Sequence, residues 1–278
     1  MGQWRNRLST NKRGSDRLTR APAPIRDRRL EAALAGDEIE IRFQPQIDPA
    51  SGRTLGVEAL ARWAEVTNPE ALFARALAAG LAERLSRTIQ RKALRLVAGW
   101  GGVLGTLTLS LNVLPQDLDR PGFDTWLLNE IALAGIDPRR ITAEIIESAV
   151  LLDRPAVAER LGVMRAHGVR IAVDDFGTGY ANLVYLTSLP LDAIKIDRAM
   201  VANLVGRERD RIVAKAMIAM ARELGLKVVV EGVENVAQLD LIAGWGVDLY
   251  QGFLGAGALD VAELARFVAT SNALADAA

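Results

Sequence analysis

Short apolar runs typical of β-strands alternate with helical stretches along most of this chain. The eight strand candidates span 39–47, 54–63, 106–113, 141–148, 169–175, 193–197, 227–231 and 248–253. Helices are predicted near 27–35, 69–79, 82–100, 115–119, 122–134, 154–167, 207–224, 235–244 and 259–270, with a short one after Tyr180. This alternation predicts an α/β fold, either a one-domain βα barrel or a doubly wound open sheet.

The first two strand candidates are joined by a turn-forming segment, Asp48-Pro-Ala-Ser-Gly-Arg53. Proline, glycine and aspartate favour tight turns, and a connection of hairpin length joins antiparallel neighbours. We therefore expect these two strands to pair antiparallel. The later strands are mostly separated by helices, which indicates parallel pairing.

Acidic or amide side chains occur where the apolar runs end. They are Glu58, Asn112, Glu144, Asp174, Asp175, Glu231 and Gln251. In a closed parallel barrel the strand ends on one face converge, so these side chains would share one pocket. An open sheet would instead place its site at a switch point. Because the polar ends are spread over at least six strands, they favour the barrel.

Such a pocket needs positive charge. Two unit negative charges ~4 Å apart repel by about 4 kcal/mol at an effective dielectric constant of ~20. One or two divalent cations would supply the counter-charge. The chain has no cysteine, which argues against structural zinc and favours a hard cation with oxygen ligands. The sequence therefore predicts a metal-dependent enzyme that acts on a phosphate-like substrate.

Asp174 and Asp175 close one strand and precede Phe176-Gly-Thr-Gly-Tyr180. Because adjacent strand residues point to opposite faces, both can face one pocket only if the chain bends. The glycines at 177 and 179 give the flexibility for that bend. A solvated turn is the alternative.

Glu144 and Glu147 are three residues apart on one strand candidate, so they would face opposite ways. Glu144 is the better metal ligand, and Glu147 is expected to tether a neighbouring loop. Glu231 follows three valines. A carboxylate buried there is costly unless it is paired or bound to a metal, which favours a ligand role.

Two positively charged side chains and one histidine can be interpreted in more than one way. Lys195 lies inside an apolar strand and either snorkels outward or faces the carboxylates, where it could hold a water. Arg62 either grips a phosphate or forms a salt bridge at the barrel rim. The single histidine, His167, precedes Gly168 at a predicted helix end and is interpreted as a capping or surface residue.

Charge is distributed unevenly along the chain. Residues 1–29 contain nine Lys/Arg and two Asp, a net charge of +7, so the remainder carries −7. We interpret residues 1–26 as a disordered basic arm that could weakly contact an acidic partner or surface, with the barrel domain at 27–278. The chain contains neither an apolar run of about 18 residues nor a secretory h-region at its start, so we expect a cytoplasmic protein.

Seven motifs in order resemble a known family. They are Glu58-Ala-Leu60, Asn112, Glu144-Ile-Ile-Glu147, Asp174-Asp-Phe-Gly-Thr-Gly-Tyr180, Lys195-Ile-Asp197, Glu231-Gly-Val-Glu234 and Gln251-Gly-Phe253. Together they closely resemble the EAL-domain phosphodiesterases that hydrolyse cyclic di-GMP, over about residues 30 to 270. The resemblance implies a modified TIM-type (βα)8 barrel with an antiparallel first strand, two Mg²⁺ or Mn²⁺ ions, and linear pGpG as the product.

The resemblance also implies a role for each residue. One ion would be bound by Glu58, Asn112, Glu144 and Asp174, and the second by Asp174, Asp175 and Glu231. The catalytic residues would be Lys195, which orients the attacking water, with Gln251, Glu231 and Glu147. The dinucleotide would contact Gln44, Leu60 and Arg62. Glu147 would hold the loop after Asp175, a loop that commonly contributes to dimerisation, so a homodimer is expected and a DNA or RNA partner is not.

The chain departs from the usual motifs at a few loop positions. The segment Ala64-Glu-Val-Thr-Asn-Pro69 is shorter than usual, Ala181 and Asn182 replace two serines, and a proline is missing after Phe253. None of these positions is an expected metal ligand. The alternatives to the phosphodiesterase are a non-catalytic cyclic di-GMP receptor or protein-interaction module of the same fold, and a lyase or isomerase of the enolase kind.

Overall fold

A computed structural model of the chain describes residues 26–66, 68–146, 154–177 and 184–277. Within these ranges eight strands form one closed barrel in sequence order. The strands are β1 (Glu40–Ile47), β2 (Thr54–Arg62), β3 (Thr108–Val113), β4 (Ile141–Ile146), β5 (Arg170–Phe176), β6 (Ala193–Ile196), β7 (Lys227–Val230) and β8 (Leu249–Tyr250). The prediction of an α/β barrel is confirmed. Glu147 and the predicted basic arm up to residue 25 lie outside the described residues.

Eleven α-helices lie in the described ranges, and several of them pack against the strands. They are α1 (Arg28–Ala35), α2 (Pro69–Ala78), α3 (Ala82–Ala98), α4 (Pro115–Asp119), α5 (Phe123–Leu133), α6 (Arg154–Ala166), α7 (Val184–Ser188), α8 (Arg198–Val201), α9 (Glu208–Glu223), α10 (Val236–Ala243) and α11 (Val261–Ala277). Contacts join α3 to β1 and β3, α6 to β5, α9 to β7, and α11 to β1 and β2. None of the helices in these ranges combines the length and the hydropathy needed to cross a membrane.

The first strand runs against the rest of the barrel. β1 pairs antiparallel with β2 and with β8, whereas the other six pairings are parallel. In the connecting turn, the Asp48 carboxylate accepts hydrogen bonds from the Ser51 hydroxyl (2.7 Å) and the Ala50 N–H (2.9 Å). The antiparallel first strand is therefore confirmed, and its cause is the hairpin turn.

The strands are buried on both faces because helices cover the outside of the barrel. In β6, Ile194 and Ile196 alternate with Lys195, and all three are buried. The isoleucines point away from Lys195. The barrel wall is therefore apolar toward the helices, which leaves the inner face free for polar side chains.

Some boundaries differ from the prediction. β8 has only two residues, because the chain leaves the sheet after Tyr250 and packs on the loop between β7 and α10. There the Val233 N–H donates to the Gln251 carbonyl at 3.1 Å. A Cβ on Gly252 would lie 2.2 Å from the Val233 carbonyl oxygen, so a side chain does not fit there. Helix α8 is an addition, and α11 runs to Ala277 rather than to 270.

Candidate active site

A buried lysine lies among four carboxylates inside the barrel. Lys195 has 1% of its surface exposed. Its Nζ atom lies close to four carboxylate oxygens: 2.6 Å from Glu231 Oε1, 2.7 Å from Glu144 Oε2, 3.2 Å from Asp174 Oδ1 and 3.3 Å from Glu58 Oε2. The outward-facing alternative for Lys195 is therefore wrong.

The barrel brings these side chains together from separate strands. Glu58 lies on β2, Glu144 on β4 and Asp174 on β5, and all three are buried. Each offers a carboxylate oxygen, and the three oxygens lie within 4.8 Å of one another. Asn112 on β3 is the direct ladder neighbour of Glu144. Residues up to 116 positions apart thus meet on one inner face, because parallel strands close into a ring.

Amide side chains orient the Glu58 carboxylate. Asn112 Nδ2 donates to Glu58 Oε1 at 2.9 Å, and Gln251 Nε2 donates to Glu58 Oε2 at 2.7 Å. Gln251 Nε2 also donates to Gln44 Oε1 at 3.0 Å, and Gln44 Nε2 donates to the Ala256 carbonyl at 3.1 Å. Two predicted substrate or catalytic residues, Gln44 and Gln251, therefore belong to the same hydrogen-bond network as Glu58.

The chain bends where the two aspartates follow each other. Asp175 has φ +57°, and the β5–β6 pairing shifts register between Val173 and Phe176. The Asp175 N–H donates to Asp174 Oδ1 at 2.9 Å. Asp174 is buried, whereas Asp175 is exposed. The structure thus contains the bend, but Asp175 does not join the tight carboxylate group among the described residues.

The electrostatics show a shortage of positive charge. Burial raises the pKa of Glu144 well above its usual value and the pKa of Glu231 to about 8, and Lys195 only partly offsets this. Burial raises the pKa of Asp174 as well. For Glu58, burial is outweighed by Lys195 and by the amide hydrogen bonds, so its pKa is lowered. Burial would lower the pKa of Lys195, but the carboxylates raise it well above its usual value.

This donor set fits a divalent cation. One lysine charge faces four carboxylates, and the donors are carboxylate and amide oxygens, which hard cations prefer. Glu231 Oε1 is buried without a hydrogen-bond partner of good geometry among the described residues, although Lys195 Nζ is close to it. Its remaining lone pair is available to a cation.

The other expected substrate residues, Leu60 and Arg62, lie at the C-terminal end of β2. Arg62 is half-buried, burial lowers its pKa, and its guanidinium donates to the Ala61 carbonyl at 2.8 Å. A rim salt bridge for Arg62 is absent from the ion pairs that the described residues form. Leu60 is partly exposed and lines a cavity of about 30 Å³ with Phe73 and Asn112. His167 lies after α6 with Nδ1 2.8 Å from the Val163 carbonyl, outside the site.

Sequence reasoning missed two residues inside the barrel. Gln46 and Ser110 are buried, and Gln46 Nε2 lies 3.4 Å from both Ser110 Oγ and Gln251 Oε1. The missed signal was the spacing of two between Gln44 and Gln46, which places both side chains on one face of β1.

Comparisons with known proteins point to one family. The family model described as the EAL domain matches residues 27–258. The cyclic di-GMP phosphodiesterase NbdA of Pseudomonas aeruginosa is 33% identical over 261 residues, which is 90% of this chain and 33% of NbdA. The bifunctional diguanylate cyclase/cyclic di-GMP phosphodiesterase MucR of the same organism is 31% identical over 81% of this chain and 34% of MucR. The chain spans about a third of the length of the curated relatives it matches.

Solved structures show the same fold. The PaMucR phosphodiesterase in complex with c-di-GMP superimposes with a TM-score of 0.79 at 30% identity, covering 84% of this chain and 97% of that one. The manganese/cy-diGMP complex of Klebsiella pneumoniae BlrP1 gives a TM-score of 0.73 at 29% identity, covering 81% and 57% of the two chains.

Proposed function

This chain belongs to the EAL domain family, and on that premise we propose that it is a phosphodiesterase that hydrolyses cyclic di-GMP to linear pGpG. The observation that carries the proposal is the convergence of Glu58, Glu144 and Asp174 around Lys195 inside the barrel. Relatives named cyclic di-GMP phosphodiesterases support the substrate, as does the related structure in complex with c-di-GMP.

The proposed activity depends on two divalent cations, Mg²⁺ or Mn²⁺. The first would be held by Glu58, Asn112, Glu144 and Asp174, and the second by Asp174, Asp175 and Glu231. When bound, such ions supply charge stabilisation for the phosphodiester and lower the pKa of the attacking water. A related structure that contains manganese and cy-diGMP supports a divalent metal.

The protein's own side chains have three tasks in this proposal. Lys195 Nζ donates a hydrogen bond that orients the attacking water, and its charge reduces the repulsion between the carboxylates. Gln251 Nε2 holds the Glu58 carboxylate at 2.7 Å and connects it to Gln44. Glu147 holds the loop after Asp175, although it lies outside the described residues.

Substrate binding is assigned to Gln44, Leu60 and Arg62. A guanidinium can bind a phosphate oxygen pair through two parallel N–H donors. Burial lowers the pKa of Arg62, so a bound phosphate would offset the cost of keeping that charge partly desolvated. Leu60 would give an apolar contact beside it. The homodimer and the cytoplasmic location stay predictions.

The competing function is a cyclic di-GMP receptor without catalysis. A receptor does not need its metal ligands and could lose them. In the described part of this chain, every position expected to bind metal carries a carboxylate or an amide. A receptor would bind cyclic di-GMP but leave it intact.

One experiment separates the two functions. Purified protein is incubated with cyclic di-GMP and Mg²⁺ or Mn²⁺, and the products are separated by chromatography. We expect pGpG to form in the presence of metal, to disappear with EDTA, and to be absent in Glu58→Ala, which should keep the wild-type circular dichroism spectrum. Cyclic di-GMP that binds but stays intact for hours in both metals would support the receptor instead.

A further inference from the structure

A buried glutamine joins the loop that carries Glu231 to a neighbouring helix. Gln238 lies in the first turn of α10 and is 4% exposed. Its Oε1 atom accepts hydrogen bonds from the backbone N–H groups of Glu234 (2.8 Å) and Asn235 (3.2 Å). Its Nε2 atom donates to the Val201 carbonyl at 3.2 Å. One side chain therefore connects the loop between β7 and α10 to α8.

Helix α8 continues directly from the strand that carries Lys195. β6 ends at Ile196, and Asp197 caps α8 by accepting a hydrogen bond from the Ala199 N–H at 2.8 Å. Val201, the last residue of α8, is buried. A hydrogen bond to the Val201 carbonyl thus anchors the loop to the segment that positions Lys195.

The same loop packs tightly on α8. Gly232 has φ +66°, and a Cβ atom there would lie 2.3 Å from Arg198 Cβ and 3.0 Å from Arg198 Cα. The Glu231 N–H donates to the Ile196 carbonyl at 3.0 Å. Because the backbones are this close, a shift of the loop relative to α8 would move Glu231 as well.

We propose that Gln238 is a positioning residue for the active site. By tying the loop to α8, it holds the Glu231 carboxylate 2.6 Å from Lys195 Nζ, where Glu231 can share a cation with Asp174. This inference rests on the function proposed above. Gln238 itself touches neither metal nor substrate. Loss of a hydrogen bond made directly to a metal ligand typically lowers metal affinity or activity by about 10- to 100-fold. Because Gln238 is one step further from the ligand, we expect an effect at the low end of that range.

A purely structural role for Gln238 makes a different prediction. Asn235 Oδ1 accepts a hydrogen bond from the Gln238 N–H at 3.0 Å, so the two residues form a capping box at the start of α10. A capping box stabilises a helix whether or not an active site is near. The bond to Val201 is the feature that capping does not require, so it separates the two roles.

Two substitutions and one control use this difference. Gln238→Glu keeps an acceptor for both loop N–H groups and is common at this capping position, but its carboxylate cannot donate to Val201. Gln238→Met loses all three side-chain bonds. The control is Asp248→Ala, because Asp248 accepts a hydrogen bond from the Val228 N–H at 2.9 Å at the other end of β7.

The measurements are the melting temperature, the Kd for Mn²⁺ by titration calorimetry without substrate, and kcat and KM for cyclic di-GMP. We expect Gln238→Glu and Gln238→Met to weaken Mn²⁺ binding and to lower kcat, each by about tenfold, with KM within about twofold of wild type. Asp248→Ala should lower the melting temperature but leave the Mn²⁺ affinity and kcat within about twofold.

Wild-type Mn²⁺ affinity and kcat in Gln238→Glu would overturn the positioning role, and so would equal losses in Asp248→Ala. The Mn²⁺ titration separates this inference from the proposed function. A wild-type protein that binds Mn²⁺ without hydrolysing cyclic di-GMP removes the function, while the Mn²⁺ affinities of the variants still decide the role of Gln238. A wild-type protein that binds neither Mn²⁺ nor Mg²⁺ overturns both.

Discussion

At the scale of single residues, the central feature is one buried lysine shared by four carboxylates, three of them buried and the fourth, Glu231, partly exposed. Lys195 contacts each of them, yet burial still raises the pKa of Glu144 and Asp174 and brings that of Glu231 to about 8. A single positive charge is therefore too little for this cluster. Without metal, Lys195 neutralises part of the negative charge of the carboxylates and so stabilises the fold. Bound cations would neutralise the rest.

Replacing Lys195 by Met should expose this dependence. Removing one partner of a buried ion pair leaves an uncompensated charge and typically costs about 3–5 kcal/mol. We expect Lys195→Met to lower the free energy of unfolding by about 3 kcal/mol in EDTA at pH 8, and Mn²⁺ to restore part of that loss. Urea unfolding measures both values.

Lys92→Met is the matched control. Lys92 Nζ lies 2.9 Å from Asp37 Oδ1 and 2.8 Å from the Ile39 carbonyl, at a partly exposed position. Such pairs contribute about 0–1 kcal/mol, so its loss should be small and independent of Mn²⁺. Equal losses in the two variants, or no recovery of Lys195→Met with Mn²⁺, would contradict this account.

The orientation of Lys195 could not be predicted from the sequence. The two-residue period of a strand says that Lys195 and Ile196 face opposite ways, but both faces of a barrel strand are buried. The choice depends on the acids of β2, β4 and β5, which are distant in sequence. Gln46 differs from Lys195 in this respect, because its spacing of two from Gln44 on β1 is visible in the sequence.

At the scale of elements, side-chain contacts hold α1 against the end of β2, the strand that carries Glu58. Trp63 follows β2, and two guanidinium groups contact its ring, with Arg29 Cζ 5.3 Å and Arg75 Cζ 4.6 Å from the ring centroid. Asp27, the N-cap of α1, pairs with Arg75 on α2. The three elements thus form one charged and aromatic contact beside Arg62.

Asp27 gives this contact a pH dependence. The hydrogen bond from Arg75, followed by that from the Leu30 N–H, lowers the pKa of Asp27 to about 2. Because the folded pKa is below the unfolded one, the stabilisation is complete above about pH 4 and is lost as the pH falls toward 2. Asp27→Asn keeps the N-cap and removes the charge, so we expect a loss of about 1 kcal/mol or less at pH 7, after solvent screening.

Urea unfolding of wild type and Asp27→Asn at pH 7, 4 and 3 tests this expectation. The difference between the two proteins should shrink as the pH falls. A difference that stays constant across these pH values would show that the Asp27 charge is not responsible.

The elements themselves were largely predictable, because long apolar runs and helical periodicity record burial directly. The exceptions have local causes. Helix α8 has four residues, too few for a period to be visible, and it depends on the Asp197 cap. β8 is short because Gly252 packs against the backbone of Val233, a contact between distant segments.

At the scale of the whole molecule, the reversed first strand completes the site. β1 closes the barrel between β2 and β8. Gln44 is the antiparallel partner of Glu58 and accepts a hydrogen bond from Gln251, so the closure joins the two ends of the barrel sequence. The hairpin turn made this arrangement predictable, whereas the distances between side chains depended on the closed ring.

We propose that this ring of carboxylates binds a pair of divalent cations. The most direct measurement is anomalous diffraction from crystals of the protein soaked in Mn²⁺. We expect two anomalous peaks on the inner face of the barrel, one beside Glu58, Glu144 and Asp174 and one beside Asp174 and Glu231. If crystals soaked at a high Mn²⁺ concentration show no anomalous peak among these side chains, the proposed metal site is wrong.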